Sequence, residues 1–520
     1  MQLKLKLVLS SVLLLVLFSC EEQVPIGKPL FSFNFNENLM NKGMAKTAIY
    51  GPQQVSYSVE QADTCLDLSL SAKNRHALTI KLNDNFSLSD YPGYTVAFWV
   101  KKHPQDTENY TILDQTETVE RQSKGWRINV QKNGAWEWWF SDGIQNWHYQ
   151  PTAKQKINDG RWHHIAYSYN ADSKEARFYY NGLNVSVYSM SENQFAIKGN
   201  ELHIGTSHPN QGNKELFNGK IDQLSVWSRV INQHEIKKLY KQKSNKKITQ
   251  QTLKKSFKVM TWNLWDGGQH DGKYIGIQRI SDIIEAEDPD IISLQEPGQA
   301  AVAIADALGY NMYNRSSNLS VLSRFPITKS YNLFYPDKVG CLELELDDKK
   351  KIIVCPVQLS EKPYLSHYLQ SEIAQADSVL LWEHQTRGKE ARFILSELSS
   401  LIFNADKKPV FISGDFNCGS HLDWTETNKI NNNNLSIAYP TSTRFANKGF
   451  IDSYRHLHPD ETSHFGYTVS PRFDSIMKNR TSFNYYKGDM ITPVESYVID
   501  KHPNGFPSDQ AALITVYEWE

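Results

Sequence analysis

Cysteine is scarce, with five in 520 residues, and no two are spaced as a Cys-x-x-Cys pair. A disulfide-dense miniprotein and a cysteine-type zinc module are therefore excluded. Charge bias is also lacking: 56 Lys and Arg stand against 57 Asp and Glu, a formal net charge of −1. That argues against a protein coating nucleic acid through bulk positive charge. Long apolar runs are missing beyond the N-terminus, so a polytopic membrane protein is excluded. What remains is ordinary globular composition, 40% apolar and 22% charged, with aromatics at 12%. Such aromatic richness favours β-structure. The length allows roughly two to four domains.

Residues 1–19 read MQLKLKLVLSSVLLLVLFS and are followed by Cys20. Lys4 and Lys6 form a positive start, and Leu7 to Phe18 an apolar core too short for a comfortable span. Leu17-Phe18-Ser19-Cys20 resembles the lipobox of bacterial lipoproteins, which implies cleavage before Cys20 and lipidation of its thiol. The alternative is an ordinary secretory signal. Glu21 and Glu22 look like the surface-export signal of some lipoproteins, or a solvated tether over 20–26. The expected location is the cell envelope, with the membrane reached through a lipid anchor only.

Residues 27–240 carry short alternating strands, among them Phe31–Phe35, Tyr94–Val100 and Ala135–Phe140. Asn133-Gly134, Asp159-Gly160, Asn181-Gly182 and Asn218-Gly219 punctuate them, which predicts a β-sandwich of hairpins. A short helix over 233–240 closes it. Residues 237–255 hold eight lysines and no acid. This predicts a flexible charged linker over 241–256, or else a phosphate-contacting patch. From Phe257 to 520 short apolar strands alternate with helical stretches such as 277–287 and 390–402. That alternation predicts a layered α/β domain with its site at strand termini. Cys341 and Cys355 flank a turn, Asp347–Lys350, and are expected as free buried thiols facing across two strands.

Asp159-Gly160-Arg161-Trp162-His163-His164-Ile165-Ala166 is similar to a strand of laminin-G, pentraxin-like and concanavalin-type jelly rolls. Phe178–Gly182 resembles their Asn-Gly hairpin, and Phe217–Asp222 with Val226-Trp227 their closing strand. The resemblance implies a jelly-roll binding module, with a glycan as a candidate ligand. It places Trp162 and Phe98 in the core, and His163 and His164 in packing and surface roles. Adjacent Trp138 and Trp139 must point to opposite faces. One ring of the Trp136, Trp138, Trp139 group is then a sugar-stacking platform or part of a domain interface. Modules of this fold often bind calcium in rim loops, but no diagnostic acidic cluster marks such a site.

In the second half Asn263, Glu296, Asp415 with Asn417, Asp474 and Asp509 each follow or adjoin a hydrophobic strand. Hard oxygen ligands gathered from strand ends suit Mg²⁺, with Mn²⁺ as an alternative. Phosphoryl transfer needs such a metal, a carboxylate for water and amide donors. The ordered set Thr261-Trp262-Asn263, Leu294-Gln295-Glu296, Ser323–Ile327, Gly414-Asp415-Phe416-Asn417, Ser420–Trp424, Arg472-Phe473-Asp474 and Pro507-Ser508-Asp509 resembles the endonuclease/exonuclease/phosphatase superfamily. That superfamily includes deoxyribonucleases, abasic-site endonucleases, neutral sphingomyelinases and inositol-polyphosphate phosphatases. The resemblance implies a four-layered α/β sandwich and a phosphate-ester substrate. It implies Glu296 as main metal ligand supported by Asn263 and Asp509, Asp415 acting on the attacking water, and Asn417 donating to the phosphoryl group.

Two positions depart from the family. Gln358 and Gln510 stand where it has histidines, and Asp474 would lose its imidazole partner. A glutamine donates a neutral hydrogen bond but carries no proton across, and losing one acid/base group costs about 10²–10⁴-fold. His367, His384, His421 and His502 are the candidates to substitute. Two readings follow: an envelope-anchored metal-dependent phosphoesterase with a binding module, or a catalytically impaired relative acting as a surface binding lipoprotein.

Overall fold

The computed structural model describes residues 26–520 except 51–54, 61–62, 74–75, 83–87, 120–121, 191–199, 208–215, 247, 249–250, 273 and 348. The expected signal segment, most of the tether and the lipidation residue Cys20 lie outside the described residues.

Among the described residues the N-terminal half is a β-sandwich. One seven-stranded sheet runs from Asn146–Tyr149 through Trp136–Ser141, Gln122–Val130, Tyr110–Val119, Glu201–Ile204 and Leu78–Leu82 to Thr47–Tyr50. It packs on strands that include Gly93–Lys102, His163–Asn170, Glu175–Tyr180 and Gly219–Trp227. Alternation drives the pairing: Val96, Phe98 and Val100 face Trp126, Ile128, Trp136 and Trp138 across the core. The Asn181-Gly182 hairpin takes positive φ at both residues, 50° and 82°, as a two-residue primed turn requires. Asn218-Gly219 does not make a hairpin. Gly219 opens the strand Gly219–Trp227, where a Cβ would lie 2.5 Å from the Lys101 carbonyl and the Phe217 ring. Close approach, not turning, explains that glycine.

The histidine pair also differs from expectation, because neither side chain is at the surface. His163 bonds Asp159 and Tyr180 at 2.8 and 2.9 Å, and His164 packs on Trp99. His164 lies beneath the helix Gln233–Lys243, which runs three residues past its expected end, whereas His163, its neighbour on the strand, points to the opposite face. Lys243 Nζ is held by Asp63 and by the buried Asp222, and Leu253 N bonds the Leu346 carbonyl at 2.7 Å. The lysine-rich segment is thus docked at both ends rather than free along its length.

The C-terminal half stacks two sheets between helices. Strands Ser256–Asn263, Ile291–Gln295, Leu319–Ser323 and Ala512–Trp519 form one sheet; Leu342–Glu345, Lys351–Gln358, Val410–Asp415 and Ser482–Lys487 are the centre of the other. Val259, Ile291, Val354 and Phe411 fill the space between them. Helices Ile275–Glu287 and Ala300–Leu308 cover the first sheet, and Arg387–Glu397 with Pro440–Ala446 the second. The expected helix over 390–402 is two helices, interrupted at Leu398. Cys341 and Cys355 are free, buried and 3.2 Å apart across the predicted hairpin.

One sheet continues from half to half. Leu183–Ser189 of the sandwich pairs in parallel with Asn311–Asn314, matching Ser186 to Met312 and Tyr188 to Asn314. Asp306 accepts from Thr152 N and Gln155 Nε2, both at 2.8 Å, and Arg315 donates to Ser189 Oγ at 2.6 Å.

On the second sheet, burial would push the Glu343 carboxyl up, but Lys408, Lys351 and Thr328 hold it down at about 2. Its folded value lies below its unfolded one, so this stabilisation is complete above about pH 4.5 and fades as pH falls towards 2. With screening at the half-exposed lysines, Glu343→Gln is expected to cost about 1–2 kcal/mol at pH 7 and almost nothing at pH 2.5. Urea titrations at the two pH values check this.

Candidate active site

Parallel pairing brings the polar strand ends together. In one sheet Asn263 lies beside Gln295, the residue before Glu296; in the other Gln358 lies beside Asp415. Both pairs end at the same edge of the stacked sheets, so four polar side chains converge where apolar alternation stops. Glu296 takes φ +52° and Asn417 +51°, a left-handed backbone that non-glycine residues adopt at a cost of about 1–3 kcal/mol. The Glu296 amide is tied down by the Asn318 carbonyl at 2.9 Å.

A hydrogen-bond network joins the expected residues. Asn263 Nδ2 donates to Glu296 Oε1 at 3.0 Å and to Asp415 Oδ2 at 3.1 Å. Gln358 Nε2 donates to Glu296 Oε1 at 2.6 Å. The Asn417 amide N–H donates to Asp415 Oδ1 at 2.9 Å, and its side chain donates to the Leu359 carbonyl at 3.0 Å. Ser508 Oγ donates to the Asn263 carbonyl at 2.7 Å and so seats the loop carrying Asp509.

The site is rich in carboxylates. Asp415 is fully buried, and burial together with the charge of Glu296 pushes it up to about 6. Burial, Asp415 and Glu296 push Asp509 up to about 7, and Glu361 is raised by burial and by Glu296. Among the described residues no three His, Cys, Asp or Glu side chains are grouped as a metal cage. Glu296 and Asp509 offer hard oxygens, whereas Asn263 Oδ1 accepts from the Trp265 amide N–H at 2.9 Å, and Gln358 Oε1 is buried with no partner. Crowded carboxylates plus an unsatisfied amide oxygen suit a hydrated hard cation that keeps several of its waters.

Asp474 is not in this cluster. It is fully exposed and lies 3.7 Å from Lys478. Residues 470–478 form a loop, and the strand that pairs with Val410–Asp415 begins only at Ser482. The group facing Gln510 is Thr481, whose Oγ1 lies 3.4 Å from Gln510 Oε1. The alternation from Thr481 to Tyr485 was the available signal for that strand. None of the four alternative histidines bonds or pairs with Glu296, Asp415 or Asp509. His421 is held by Ser442 at 2.8 Å, and His502 lies 3.7 Å from Asp282.

Sequence reasoning missed Arg472. Trp265, two residues after Asn263, stacks on His270 with centroids 3.5 Å apart. The Arg472 guanidinium lies 5.2 Å from the Trp265 ring and donates through Nη1 to Asp271 at 3.0 Å and to the Phe506 carbonyl at 3.3 Å. Its Nε and Nη2 have no partner among the described residues. A cation is thus fixed between the loop after Asn263 and the loop before Asp509. Three separate loops build it, and no local pattern announces that.

Comparison with known proteins agrees with this division. Residues 76–237 match the family model of the concanavalin A-like lectin/glucanases superfamily, and residues 260–482 that of the Endonuclease/Exonuclease/phosphatase family. The uncharacterized protein F14F9.5 of Caenorhabditis elegans is 25% identical over 296 residues, 52% of this chain and 93% of its own length. A Rattus norvegicus protein, "Sushi, von Willebrand factor type A, EGF and pentraxin domain-containing protein 1", is 32% identical over 88 residues, which are 16% of this chain and 2% of that protein. Among solved structures, truncated Caenorhabditis elegans TDP2 aligns over 51% of this chain and 97% of its own, with 16% identity and a TM-score of 0.37.

Proposed function

We propose that the C-terminal domain is a metal-dependent phosphoesterase and that the N-terminal domain is the module that binds it to a surface glycan. Lipidation at Cys20 would hold both at the cell envelope. The observation that carries the catalytic reading is the bonding of Asn263, Glu296 and Asp415 into one buried network at the strand ends.

Glu296, with Asn263 and Asp509 in support, would hold Mg²⁺ or Mn²⁺. The bound ion would neutralise charge developing on the phosphoryl oxygens. Asp415 takes the proton from the attacking water, and the backbone N–H of Asn417 with the Asn263 amide keeps its carboxylate aimed. The Asn417 side-chain amide donates to a phosphoryl oxygen. Gln358 and Gln510 donate neutral hydrogen bonds and shuttle no proton, so the leaving group departs without help from either. Phosphate esters with acidic leaving groups are therefore the favoured substrates.

The impaired-binder reading is favoured by one set of observations: Gln358, Gln510 and Thr481 together leave no imidazole at the phosphate. Hydrolysis of bis(p-nitrophenyl) phosphate with Mg²⁺ and Mn²⁺ separates the two. Metal-dependent turnover by the native chain is the expected result, and Gln358→His/Gln510→His is expected to raise it about tenfold. Silence in the native chain with turnover in the double variant would establish a disarmed site. Silence in both would overturn the catalytic reading.

A further inference from the structure

The three neighbouring tryptophans of the sandwich have separate fates. Trp136 and Trp138 are core residues, with Trp138 4.8 Å from Phe178. Trp139 points to the opposite, outer face of the seven-stranded sheet and is half-buried there. Two cross-strand rows are built around it. In the first, Arg127, Trp139 and His148 lie side by side on three strands, with the Arg127 guanidinium 4.4 Å from the indole ring. In the second, Asn129 Nδ2 donates to Glu137 Oε1 at 2.8 Å and Gln150 Nε2 to Glu137 Oε2 at 2.9 Å. Residues two apart on a strand are about 7 Å apart, so the rows are separated by roughly the width of one pyranose ring.

A groove of about 500 Å³ lies over the second row and Arg127, beside Trp139, and is lined by Arg127, Asn129, Lys132, Glu137 and Gln150. Two atoms at its floor, Arg127 Nε and Asn129 Oδ1, are buried without a hydrogen-bond partner. One is a donor and the other an acceptor, which a vicinal pair of sugar hydroxyls or a carboxylate with its neighbouring hydroxyl satisfies together. The charge is uneven. Arg127 and Lys132 line the groove with Glu137, whose two oxygens are held by amides, and the other acid of the row, Asp114 opposite Arg127 on the next strand, is fully buried. An aromatic side chain, unsatisfied donors and acceptors and surplus positive charge describe a saccharide surface with an anionic preference.

We propose that the Arg127–Trp139 face of the sandwich binds an acidic polysaccharide, with Arg127 on a uronate carboxylate and Trp139 against the sugar ring. This rests on the reading of the N-terminal domain as the surface-binding module and assigns the site that reading lacks. Binding there is independent of the phosphoesterase site, which lies on the other half of the chain.

Affinity electrophoresis of the full-length chain in mild detergent tests it, with polygalacturonate as the anionic probe and dextran as the neutral one. Retardation by polygalacturonate and none by dextran is expected. Arg127→Gln and Trp139→Ala are each expected to weaken retardation at least tenfold, with unchanged thermal unfolding. Arg127→Lys, which keeps the charge and loses the fork, is expected to recover only part of it. No retardation by polygalacturonate overturns the proposal, and so does retardation that neither variant alters. Equal retardation by dextran, insensitive to both variants, overturns this site while leaving the domain a glycan binder. Weakening by Arg127→Gln alone, fully restored by lysine, reduces the contact to charge and overturns the role of Trp139.

Discussion

Asp415→Asn is expected to lower metal-dependent hydrolysis of bis(p-nitrophenyl) phosphate by about 10²–10⁴-fold while flattening the pH dependence of the metal-free chain's stability. The loss follows from its place: Asp415 is the carboxylate fully buried at the centre of the network, and it alone is aimed by both Asn263 and Asn417. The amide replacement keeps the shape but takes no proton, and its NH2 faces one of the two N–H donors that the carboxylate accepted from. The change in pH dependence follows from the same burial. The folded carboxyl is raised to about 6 from an ordinary 3.8, so folding carries no penalty below about pH 4 and the whole penalty above 6. Between those values the metal-free native chain loses stability as pH rises, by about 1–3 kcal/mol. The Asn variant is expected to show a flatter profile. Kinetics with Mg²⁺ and thermal melts in EDTA across pH 4–8 check both halves. A variant that keeps both the activity and the native pH slope of stability would refute the assignment.

Arg480→Met is expected to cost about 3–5 kcal/mol, the largest stability effect of any substitution considered. The Arg480 side chain is 1% exposed and sits between two acids. It donates to Asp423 at 3.0 Å through Nε and again through Nη2, and to Asp452 at 2.9 Å through Nη1. A further contact, Nη2 to Asp452 Oδ2 at 2.7 Å, is close in distance but off hydrogen-bond geometry. Arg455 shares Asp423 at 2.7 Å. Methionine fills the volume but leaves Asp452 buried with no cation. Asp423 keeps Arg455, so the damage is centred on Asp452, and Arg480→Met/Asp452→Leu is expected to regain part of the loss. Urea unfolding of the three proteins measures it. Equal losses in the single and double variants would show that the cost is packing and not stranded charge.

Much of the candidate site could be read from the chain because a polar strand end has a local signature. Asn263, Glu296 and Asp415 each terminate an apolar run, and parallel pairing then places them side by side. Asp474 has a similar look, an acid after an aromatic, but it lies in a loop, and the ladder to Val410–Asp415 starts only at Ser482. Only pairing distinguishes Asp474 from the other three, and pairing is non-local. The jelly-roll half was legible as alternation with Asn-Gly turns, yet Asn218-Gly219 shows the limit. The same dipeptide serves a hairpin at 181–182 and a tight strand contact at 218–219. Burial of His164 depends on a helix supplied from much later in the chain, and that of His163 on the Asp159 and Tyr180 side chains, neither of which strand alternation alone contains.

The parallel pairing of Leu183–Ser189 with Asn311–Asn314 has a colloidal consequence. An unpaired strand margin is a template for any passing chain, and single domains blunt it with charge, proline or a bulge. Leu183–Ser189 carries no charge and no proline, and Asn311–Asn314 likewise has none. Each half therefore shields the other's sticky margin. Gene fragments cut at the lysine-rich segment would release two adhesive edges at once, so solubility belongs to the fused chain and to neither half.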